Sequence, residues 1–568
     1  MIGALGFGVE ALRTFAGNGL VRPVAPGRFA RMAFALARHG LTPAAGLAVA
    51  AARWPDRPAV IDEDGTLTFA ELERRATRLA AALHRRFGLG PGGTLAILWR
   101  NHRGFAEAMA AGSLLGADLV LLNTGFAGPQ LRGVLARERA DVLLLEEEFV
   151  PLLTQGEDGA AGQWRSGLGE AARRWRPGLA VPEGAAGAEG AAAVEGTGSR
   201  GEGRWVSQVD ALVAEGGAAV PGTRRAGRLV LLTSGTTGTP KGAPRRLSLP
   251  AVAVPITSML ARMPVRSGEP ILIAPPLFHA LGLAWYGIAL TLGCPVVLTR
   301  RFEPVSVLSA VESQRVRTLV AVPDMLRRLM EVRDRFDTSS LRVVVAGGSA
   351  LRPDVAAGFV DAFGDVLYDI YGSTETGWGT LATPADLRAA PGTVGRPPRG
   401  TAVRILDEDG RGLPAGEVGG VYVGGGLHFA GYSGGGSRRV VDGLMATGDL
   451  GHFDAEGRLF IDGREDDMIV SGGENVFPQE VEETLAAHPG VADVAVAGVP
   501  DDRLGQRLAA YVVRAPGEEV TEDDLKAHVR AHLARHKVPR SIEFVPELTR
   551  TPTGKVTWTA SPGGPGTP

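Results

Sequence analysis

Three apolar, strand-like runs of this chain each continue directly into a glycine loop, and this pattern constrains the fold more than any other feature. The runs are Arg228–Leu232, Leu341–Ala346 and Leu367–Ile370. Apolar strands that alternate with helical stretches favour an α/β architecture. Because ligands of open α/β sheets bind beyond the carboxyl ends of the strands, we predict that the three loops line one crevice.

The first of these loops, Thr233–Gly242, has the sequence TSGTTGTPKG. Its small residues would let backbone amides approach phosphate oxygens, its hydroxyls add donors, and Lys241 supplies a positive charge. Pro240 precedes the lysine and Gly242 follows it, so the spacing differs from the GxxxxGK[ST] pattern. The loop therefore predicts phosphate binding by an enzyme that is not a generic P-loop nucleotide hydrolase.

The basic residues are mostly arginine, and this bias makes the lysines informative. The chain has 60 Lys and Arg against 62 Asp and Glu, and only four are lysines: Lys241, Lys526, Lys537 and Lys555. The near balance of charge predicts no basic nucleic-acid surface. Lysine is a compact point charge on a flexible stem, whereas arginine is a planar fork. Two lysines lie in Gly/Thr/Pro loops, TPKG and TPTGK, where we predict a specific need for the ammonium group.

The alternation of strands and helices predicts a large N-terminal α/β part, and a change of composition after Asp467 predicts a small, separate α+β C-terminal domain. The small domain is predicted from strands Val491–Val499 and Arg507–Val513 and helix Thr521–His536. The segment 156–204 is rich in Gly, Ala, Glu and Arg, which predicts a disordered insertion. The predicted boundaries are an apolar extension at 1–50, the large domain at 51–462, the small domain at 468–568 and a disordered tail at 561–568.

Two segments raise the question of a membrane. The uncharged run Ile271–Thr299 contains Pro275, Pro276 and Pro295, so a buried strand, loop, helix and second strand explain it better than a bilayer span. Residues Phe29–Leu41 could lie on a membrane as an amphipathic helix or pack on the body of the protein, and both readings stay open. The single cysteine, Cys294, excludes an internal disulfide and fits a reducing compartment. The expected location is the cytoplasm, with peripheral contact to the inner face of the membrane as the open addition.

Five motifs occur in a fixed order and carry a resemblance to a known family. They are TSGTTGTPKG, YGSTE at Tyr371–Glu375, TGDLG at Thr447–Gly451, IDGREDD at Ile461–Asp467 and PTGK at Pro552–Lys555. Over roughly residues 51–556 the chain resembles the adenylate-forming superfamily, which includes acyl-CoA synthetases, aryl-CoA ligases, luciferases and the adenylation domains of peptide synthetases. The whole pattern, including NTGF at 123–126 and SGGENVFPQEVE at 471–482, is most similar to bacterial fatty-acyl-CoA synthetases.

The resemblance implies a nucleotide site. The residues implied to hold the ATP phosphates are Thr233, Ser234, Gly235, Thr236, Thr237, Gly238 and Lys241. Those implied to flank adenine are Gly347, Gly348, Ser349, Asp369, Ile370 and Tyr371. It further implies that Thr374 contacts the α-phosphate, Glu375 binds Mg²⁺, and Asp449, assisted by Arg464, takes the ribose hydroxyls.

The resemblance also implies the acyl site and the moving parts. The residues implied to line the acyl pocket are His279, Ala280, Gly282, Val322, Met325, Gly347 and Ser373, with His279 as a gating residue. Lys555 would reach the site from the small domain. The resemblance further implies that the large N-terminal domain consists of α/β subdomains with mixed sheets and that the small α+β domain is mobile. The small domain would rotate about Asp466, in a hinge at 463–467, and bring Gly472 and Gly473 to the site in the second half-reaction.

The expected function is therefore an ATP-dependent, AMP-forming ligase. It would activate an apolar monocarboxylate, of the medium- or long-chain fatty acid class, as acyl-AMP and then form the coenzyme A thioester, with ATP, Mg²⁺ and coenzyme A as cofactors or co-substrates. Two alternatives stay open: an acyl-AMP ligase that loads a carrier-protein phosphopantetheine, and a non-catalytic acyl or nucleotide binder. Two departures from the family pattern are Leu444–Ala446 before TGDLG and the tail TWTASPGGPGTP after Lys555, where a basic helix is usual.

Overall fold

The computed structural model describes most of the chain and divides it into two compact units. The described residues are 11–40, 42–154, 195–196, 204–206, 209–217, 220, 223, 225–233, 241–245, 249–429, 431–465, 469–471, 474–501, 505–550 and 556. The first unit comprises Met1–Val320, Phe336–Val343 and Gly426–Ser437. The second unit comprises Ala321–Arg335, Val344–Gly425 and Arg438–Pro568.

The first unit alternates helices and strands, as the sequence pattern predicts. Its helices are α1 Pro26–His39, α2 Pro43–Arg53, α3 Phe69–Phe87, α4 Arg103–Leu114, α5 Gly128–Arg137, α6 Pro151–Thr154, α7 Val209–Glu215, α8 Leu249–Leu260, α9 Ala280–Leu292 and α10 Pro304–Ser313. Its strands are β1 Pro58–Asp62, β2 Gly65–Thr68, β3 Thr94–Leu98, β4 Asp118–Leu121, β5 Val142–Leu145, β6 Glu195–Gly196, β7 Arg204–Val206, β8 Leu229–Thr233, β9 Lys241–Arg245, β10 Ile271–Ile273, β11 Val296–Leu298 and β12 Thr318–Val320.

Two sets of strands form the sheets of the first unit. The strand order of a seven-stranded sheet is β6-β7-β5-β3-β4-β8-β9, parallel from β7 to β8 with antiparallel edges. The second set has the order β12-β10-β11-β1-β2, with only β2 antiparallel. The inner strands are buried on both faces, so they read as continuous apolar runs rather than as alternating ones.

Local sequence signals account for the boundaries of several elements. Helix α3, predicted over Ala70–Phe87, begins after Thr68, whose hydroxyl and Glu71 form a capping box, and it ends at Gly88 with φ of 67°. Strand β3 has the predicted bounds. The uncharged run 271–299 is β10, helix α9 and β11, which confirms the predicted strand, loop, helix and strand.

The second unit contains three further sheets or parts of sheets. Its helices are α11 Pro323–Met330, α12 Pro353–Phe363, α13 Pro384–Ala389, α14 Pro478–Ala486 and α15 Glu522–His532. Its strands are β13 Val343–Gly347, β14 Leu367–Ser373, β15 Gly377–Ala382, β16 Thr393–Gly395, β17 Thr401–Leu406, β18 Gly419–Gly425, β19 Val440–Val441, β20 Leu444–Phe453, β21 Leu459–Arg464, β22 Ile469–Ser471, β23 Glu474–Val476, β24 Val491–Asp501, β25 Gly505–Arg514 and β26 Ser541–Phe544.

Strands β13 and β14 are parallel, and β15 is antiparallel to β14. An antiparallel sheet has the order β16-β21-β20-β18-β17, and a C-terminal sheet has the order β23-β22-β25-β24 with β26 beside β25. Helices α14 and α15 pack on the C-terminal sheet. The core formed by these helices and the sheet includes Val481, Leu485, Leu508, Leu525 and Val529. The predicted fold class, α/β with mixed sheets followed by a small α+β part, is confirmed.

Some predicted bounds are wrong by a few residues. The last helix ends at His532, four residues before the predicted His536, because Leu533 is extended with φ of −125° and ψ of 164° and packs on the core of the C-terminal sheet. The predicted insertion lies mostly outside the described residues, and within it β6 pairs with β7. Within the described part of the chain, every helix is too short or too polar to span a lipid bilayer.

Candidate active site

Strands β13 and β14 place the residues predicted to flank adenine side by side. Their parallel register sets Ala346 beside Asp369 and Gly347 beside Ile370. Gly347 is buried at the end of β13, and Gly348, which follows it, is exposed with φ of 88°. A residue with a side chain would be strained at that φ. The backbone therefore turns away from the sheet at the point where a ligand of an open α/β sheet binds.

Asp369 is a buried carboxylate with an unmet hydrogen-bonding capacity. Only 4% of the surface of Asp369 is exposed to solvent, and its Oδ1 has no hydrogen-bond partner among the described residues. Burial raises the pKa of Asp369 to about 7, although a hydrogen bond from the Ile370 backbone opposes the rise. A buried polar atom without a partner costs free energy. A ligand that donates a hydrogen bond here, as an amino group of a base does, would relieve that cost.

A second carboxylate, Asp449, is held from two sides. The hydroxyl of Tyr371 donates to Asp449 Oδ2 at 2.6 Å, and Arg464 Nη1 lies 3.2 Å from Asp449 Oδ1. Strands β20 and β21 bring this pair together, since Asp449 and Arg464 are opposite each other in the antiparallel register. Burial and the Asp449 charge raise the pKa of Tyr371 well above its usual value, so the phenol remains a donor. A fixed carboxylate of this kind can accept hydrogen bonds from sugar hydroxyls.

The turn between β14 and β15 carries Ser373, Thr374 and Glu375. The backbone N–H of Thr376 donates to Ser373 Oγ at 3.1 Å, which closes the turn. A Cβ on Gly372 would lie 2.2 Å from the Gly377 carbonyl oxygen, so only glycine fits this narrow hairpin. Glu375 is 8% exposed. Its carboxylate and the neighbouring Thr374 hydroxyl are oxygen donors of the type that Mg²⁺ takes together with phosphate oxygens, so the donor set fits that ion.

In the first unit, the predicted phosphate loop begins and ends on paired strands. Thr233 ends β8 and Lys241 begins β9, and the two residues are partners in the register. Of the loop residues, Ser234, Gly235, Thr236, Thr237 and Gly238 lie outside the described residues. The ammonium group of Lys241 lies 5.5 Å from the centroid of the Tyr432 ring, a cation–π distance. The base of the loop is thus supported by an aromatic ring far away in the sequence.

Tyr432 and Ser433 were missed by the sequence reasoning. Two hydrogen bonds hold Ser433 in place. Its backbone N–H donates to the Gly242 carbonyl of β9 at 2.9 Å, and its hydroxyl donates to Glu138, which follows α5, at 2.6 Å. A Cβ on Gly242 would lie 2.4 Å from Ser433 Oγ, so the last glycine of the motif is needed for this close approach. The only available signal was the glycine-rich segment GYSGGG at 431–436, which has no strand or helix pattern.

The residues predicted to line an acyl pocket divide between the two units. His279, Ala280 and Gly282 are in the first unit, and the other four, Val322, Met325, Gly347 and Ser373, are in the second. His279 precedes α9, and its Nε2 is shielded from solvent with no hydrogen-bond partner among the described residues. Burial lowers the pKa of His279 to about 4, so its ring is neutral at physiological pH.

Close packing and apolar side chains surround the ends of α9 and α11. A Cβ on Gly282 would lie 2.7 Å from the Pro276 carbonyl oxygen, so a larger residue would displace the start of α9. In the second unit, Val322 precedes α11 and Met325 lies in its first turn, and both are buried. Within the second unit, Val322 and Met325 thus offer an uncharged apolar surface.

The predicted hinge and mobile groups, Asp466, Gly472, Gly473 and Lys555, lie outside the described residues. Their flanks are described. Arg550 and Val556 form a bridge on either side of 551–555, and Arg550 Nη2 lies 2.8 Å from Asp493 of β24. Arg352, which precedes α12, lies 3.7 Å from the same aspartate. The unusual residues before TGDLG occupy the start of β20, where Met445 is buried and pairs with Val423.

The fold and this arrangement of buried carboxylates and glycine turns define an enzyme of the adenylate-forming class. The chain belongs to the AMP-binding enzyme family: the family model matches residues 47–433, and the model of the AMP-binding enzyme C-terminal domain matches residues 480–555. The predicted superfamily is thereby confirmed, and with it the class of enzyme, an AMP-forming acid–thiol ligase.

Similar proteins differ in the acid that their names state. A feruloyl-CoA synthase from Amycolatopsis sp is 34% identical over 519 residues, which are 89% of this chain and 96% of that protein. A fatty acid–[acyl-carrier-protein] ligase, ScoC from Streptomyces coeruleorubidus, is 31% identical over 88% of this chain and 92% of its own length. The crystal structure of ATP-bound MatB from Rhodopseudomonas palustris aligns with a TM-score of 0.74 at 27% identity, over 90% of this chain and 97% of MatB. The narrower resemblance to fatty-acyl-CoA synthetases is not supported by this range of acids.

Proposed function

We propose that the protein activates an apolar monocarboxylate, of the medium- or long-chain fatty acid class, as an acyl-adenylate and transfers the acyl group to coenzyme A. The observation that supports the substrate class is helix α9 with His279 at its start. All 13 residues of α9 are uncharged, and burial keeps the imidazole of His279 neutral by lowering its pKa to about 4. The residues proposed to line the pocket therefore present no cation that could bind a second carboxylate.

The nucleotide would be held mainly by residues of the second unit. We assign the ribose hydroxyls to Asp449, which Tyr371 and Arg464 hold in one orientation. The buried Asp369 would accept a hydrogen bond from the adenine amino group. Glu375 and Thr374 would hold Mg²⁺, which supplies positive charge beside the phosphates when it is bound.

In the first half-reaction, a carboxylate oxygen of the acid attacks the α-phosphorus in line. The bond from that phosphorus to the bridging oxygen breaks, and its electron pair leaves with pyrophosphate. The carboxylate and the triphosphate repel each other, so the site must align them and offset their charge. Lys241 would neutralise the departing phosphates, and Lys555 would lie beside the attacking carboxylate, both as cations already in place before the reaction.

In the second half-reaction, the coenzyme A sulfur attacks the carbonyl carbon of the adenylate. The bond from that carbon to the phosphate oxygen breaks, and AMP leaves with the electron pair. Residues 468–568 would rotate about Asp466, withdraw Lys555 and present Gly472 and Gly473. A hinge of this kind concentrates the backbone change in a few residues.

The function is tested by incubating the protein with ATP, Mg²⁺ and one acid at a time, with and without coenzyme A. The acids are octanoate, palmitate, ferulate and malonate. We expect pyrophosphate with a fatty acid, and AMP and acyl-CoA once coenzyme A is added. Turnover of ferulate without turnover of either fatty acid would overturn the substrate class. Pyrophosphate release with none of the acids would overturn the adenylation itself.

The carrier-protein alternative has one supporting observation, the similarity to the ligase named for an acyl-carrier-protein acceptor. The same incubation distinguishes it. Acyl-adenylate that accumulates despite coenzyme A, and that is consumed when a phosphopantetheinylated carrier protein is added, would favour the carrier protein. Rapid release of AMP with coenzyme A alone would exclude it.

A further inference from the structure

Exposed large apolar side chains are concentrated near the N-terminal end of the described chain. Eight such side chains are exposed among the described residues, and five of them are Leu12, Val21, Phe29, Phe34 and Leu36. Phe29 is 64% exposed and Phe34 is 67% exposed. Single exposed apolar residues are normal on a protein, whereas several that share one face of a helix point to an interaction surface.

The exposed residues of α1 share one face of the helix. At 3.6 residues per turn, a sector of roughly 160° contains only apolar exposed side chains. The members of this sector, which we call the α1 apolar face, are Pro26, Phe29, Ala30, Ala33, Phe34, Leu36 and Ala37. The opposite side of α1 carries Ala35 and His39, which are buried. The helix thus turns its large apolar residues toward solvent and smaller or polar residues toward the protein, the reverse of an ordinary surface helix.

The position of α1 is fixed from its inner side. Arg28 Nη1 donates to the Arg53 carbonyl at the end of α2 at 3.1 Å, and Arg38 Nη2 donates to the Val220 carbonyl at 3.0 Å. Rotation of α1 to bury its apolar face would therefore break both of these hydrogen bonds. The outward direction of the face is a property of the folded chain.

Positive charge predominates around this face, although two carboxylates lie near it: Asp56 is 3.8 Å from Arg28, and the Arg31 charge opposes the rise in the pKa of Glu73 that burial causes. Residues 11–55 contain six arginines and no aspartate or glutamate, although the whole chain has a formal charge of −2. Arg31 and Arg38 are exposed on α1 at one edge of the apolar face. An apolar helix face bordered by arginines, whose stems can lie along lipid while the guanidinium groups stay at the headgroups, is the pattern of a helix that lies in an anionic lipid surface.

We propose that the α1 apolar face, together with Arg31 and Arg38, docks the protein on an anionic lipid surface. The aromatic rings would enter the boundary between headgroups and acyl chains, and the arginines would contact lipid phosphates. A second copy of the chain is the rival occupant, but the excess of six arginines over the nearby Asp56 and Glu73 would repel its own image across a two-fold interface. This proposal is independent of the reaction proposed above.

The test uses flotation of the full chain with two kinds of vesicle, phosphatidylcholine alone and phosphatidylcholine mixed with phosphatidylglycerol. We expect binding to the mixed vesicles that is at least about tenfold stronger than to the neutral ones and that weakens with salt, since each basic residue near an anionic surface contributes about fivefold. The pair Phe29→Ser and Phe34→Ser should reduce binding at least about tenfold. Separately, Arg31→Gln, which leaves the contact of Arg38 with the Val220 carbonyl intact, should reduce binding about fivefold.

A matched control removes exposed apolar residues elsewhere. Val305→Ser with Val440→Ser changes side chains that are 40% and 53% exposed, and it should leave vesicle binding unchanged. Thermal melting and pyrophosphate release show whether each variant is folded. Equal binding by wild type and the phenylalanine variant, or no binding of wild type to the mixed vesicles, would overturn the proposal. A wild-type dimer that the phenylalanine variant dissociates, without vesicle binding, would assign the face to a second copy instead.

Discussion

The proposed interaction of Asp449 with the nucleotide can be tested by a single change of charge. Asp449→Asn keeps the size of the side chain and one oxygen acceptor, but it removes the negative charge that faces Tyr371 at 2.6 Å and Arg464 at 3.2 Å. Asp449 is 12% exposed at its side chain, so solvent screens the lost charge only in part. A hydrogen bond to a charged group exceeds a neutral one by about 1.5 kcal/mol.

Two ribose hydroxyls that lose a charged acceptor would therefore weaken ATP binding by about 3 kcal/mol, which is about a hundredfold in the dissociation constant. The assay is acid-dependent pyrophosphate release as a function of ATP concentration, with equilibrium ATP binding beside it. KM for ATP should rise by that factor, while the variant remains folded by thermal melting.

The matched control is Asp454→Asn. Asp454 follows the same strand, β20, and its carboxylate lies 2.6 Å from Arg458 Nε with a side chain that is 19% exposed. The chemistry of the change is the same, but the residue is not among those assigned to the nucleotide. KM for ATP should stay within about twofold of wild type, well under the tenfold that 1.4 kcal/mol represents. If Asp449→Asn also leaves KM within about threefold, the assignment of Asp449 to the ribose is refuted.

Three further predictions concern groups with unusual surroundings. Asp369→Asn should stabilise the protein more at about pH 8 than at about pH 5. The pKa of Asp369 is about 7 in the folded state against an ordinary 3.8, so wild type loses about 2–3 kcal/mol of stability as the pH rises through that range. A difference in melting temperature between variant and wild type that does not change with pH would contradict this. The stability gained by His279→Phe should have the opposite pH dependence. Because the pKa of His279 is lowered to about 4, wild type loses about 2 kcal/mol of stability as the pH falls from about 7.5 to about 5. Thermal melting at both pH values checks this, and a larger gain in melting temperature at the higher pH would disprove it. Lys555→Ala should lower the rate of adenylation at least about a hundredfold but spare thioester formation from supplied acyl-AMP. The control is Lys526→Ala, which removes a lysine paired with Glu522 at 2.6 Å. Equal loss of both half-reactions in Lys555→Ala would rule out the two-state scheme.

Much of the local structure follows from residues that are close in the sequence. The capping box of Thr68 and Glu71 and the left-handed Gly88 bound α3, and the apolar runs predicted β3, β8 and β13 to within two residues. Where the prediction failed, at the end of α15, a long-range contact decided the outcome. The burial of Leu533 against the C-terminal sheet outweighed the local tendency to continue the helix.

The chemistry of the candidate site was partly visible in the sequence. The motif order identified Asp449 and Arg464, which are 15 residues apart, and the strand register sets them opposite each other. The sequence did not indicate that Asp369 would lack a partner for Oδ1, or that Tyr432 would lie over Lys241. Both facts depend on which distant segment packs on a strand, and a pattern of neighbours along the chain does not contain that information.

By itself, the sequence determined the fold class and the family, and it supplied the candidate residues for phosphate, ribose and metal contacts. These follow from periodicity, glycine turns and motif order, all of which act over short separations. The tertiary structure alone decided burial, and burial decides protonation: it raises the pKa of Asp369 and lowers that of His279. It also decided which face of α1 meets solvent, because an amphipathic pattern states that a helix has two faces but not which of them the rest of the protein will cover.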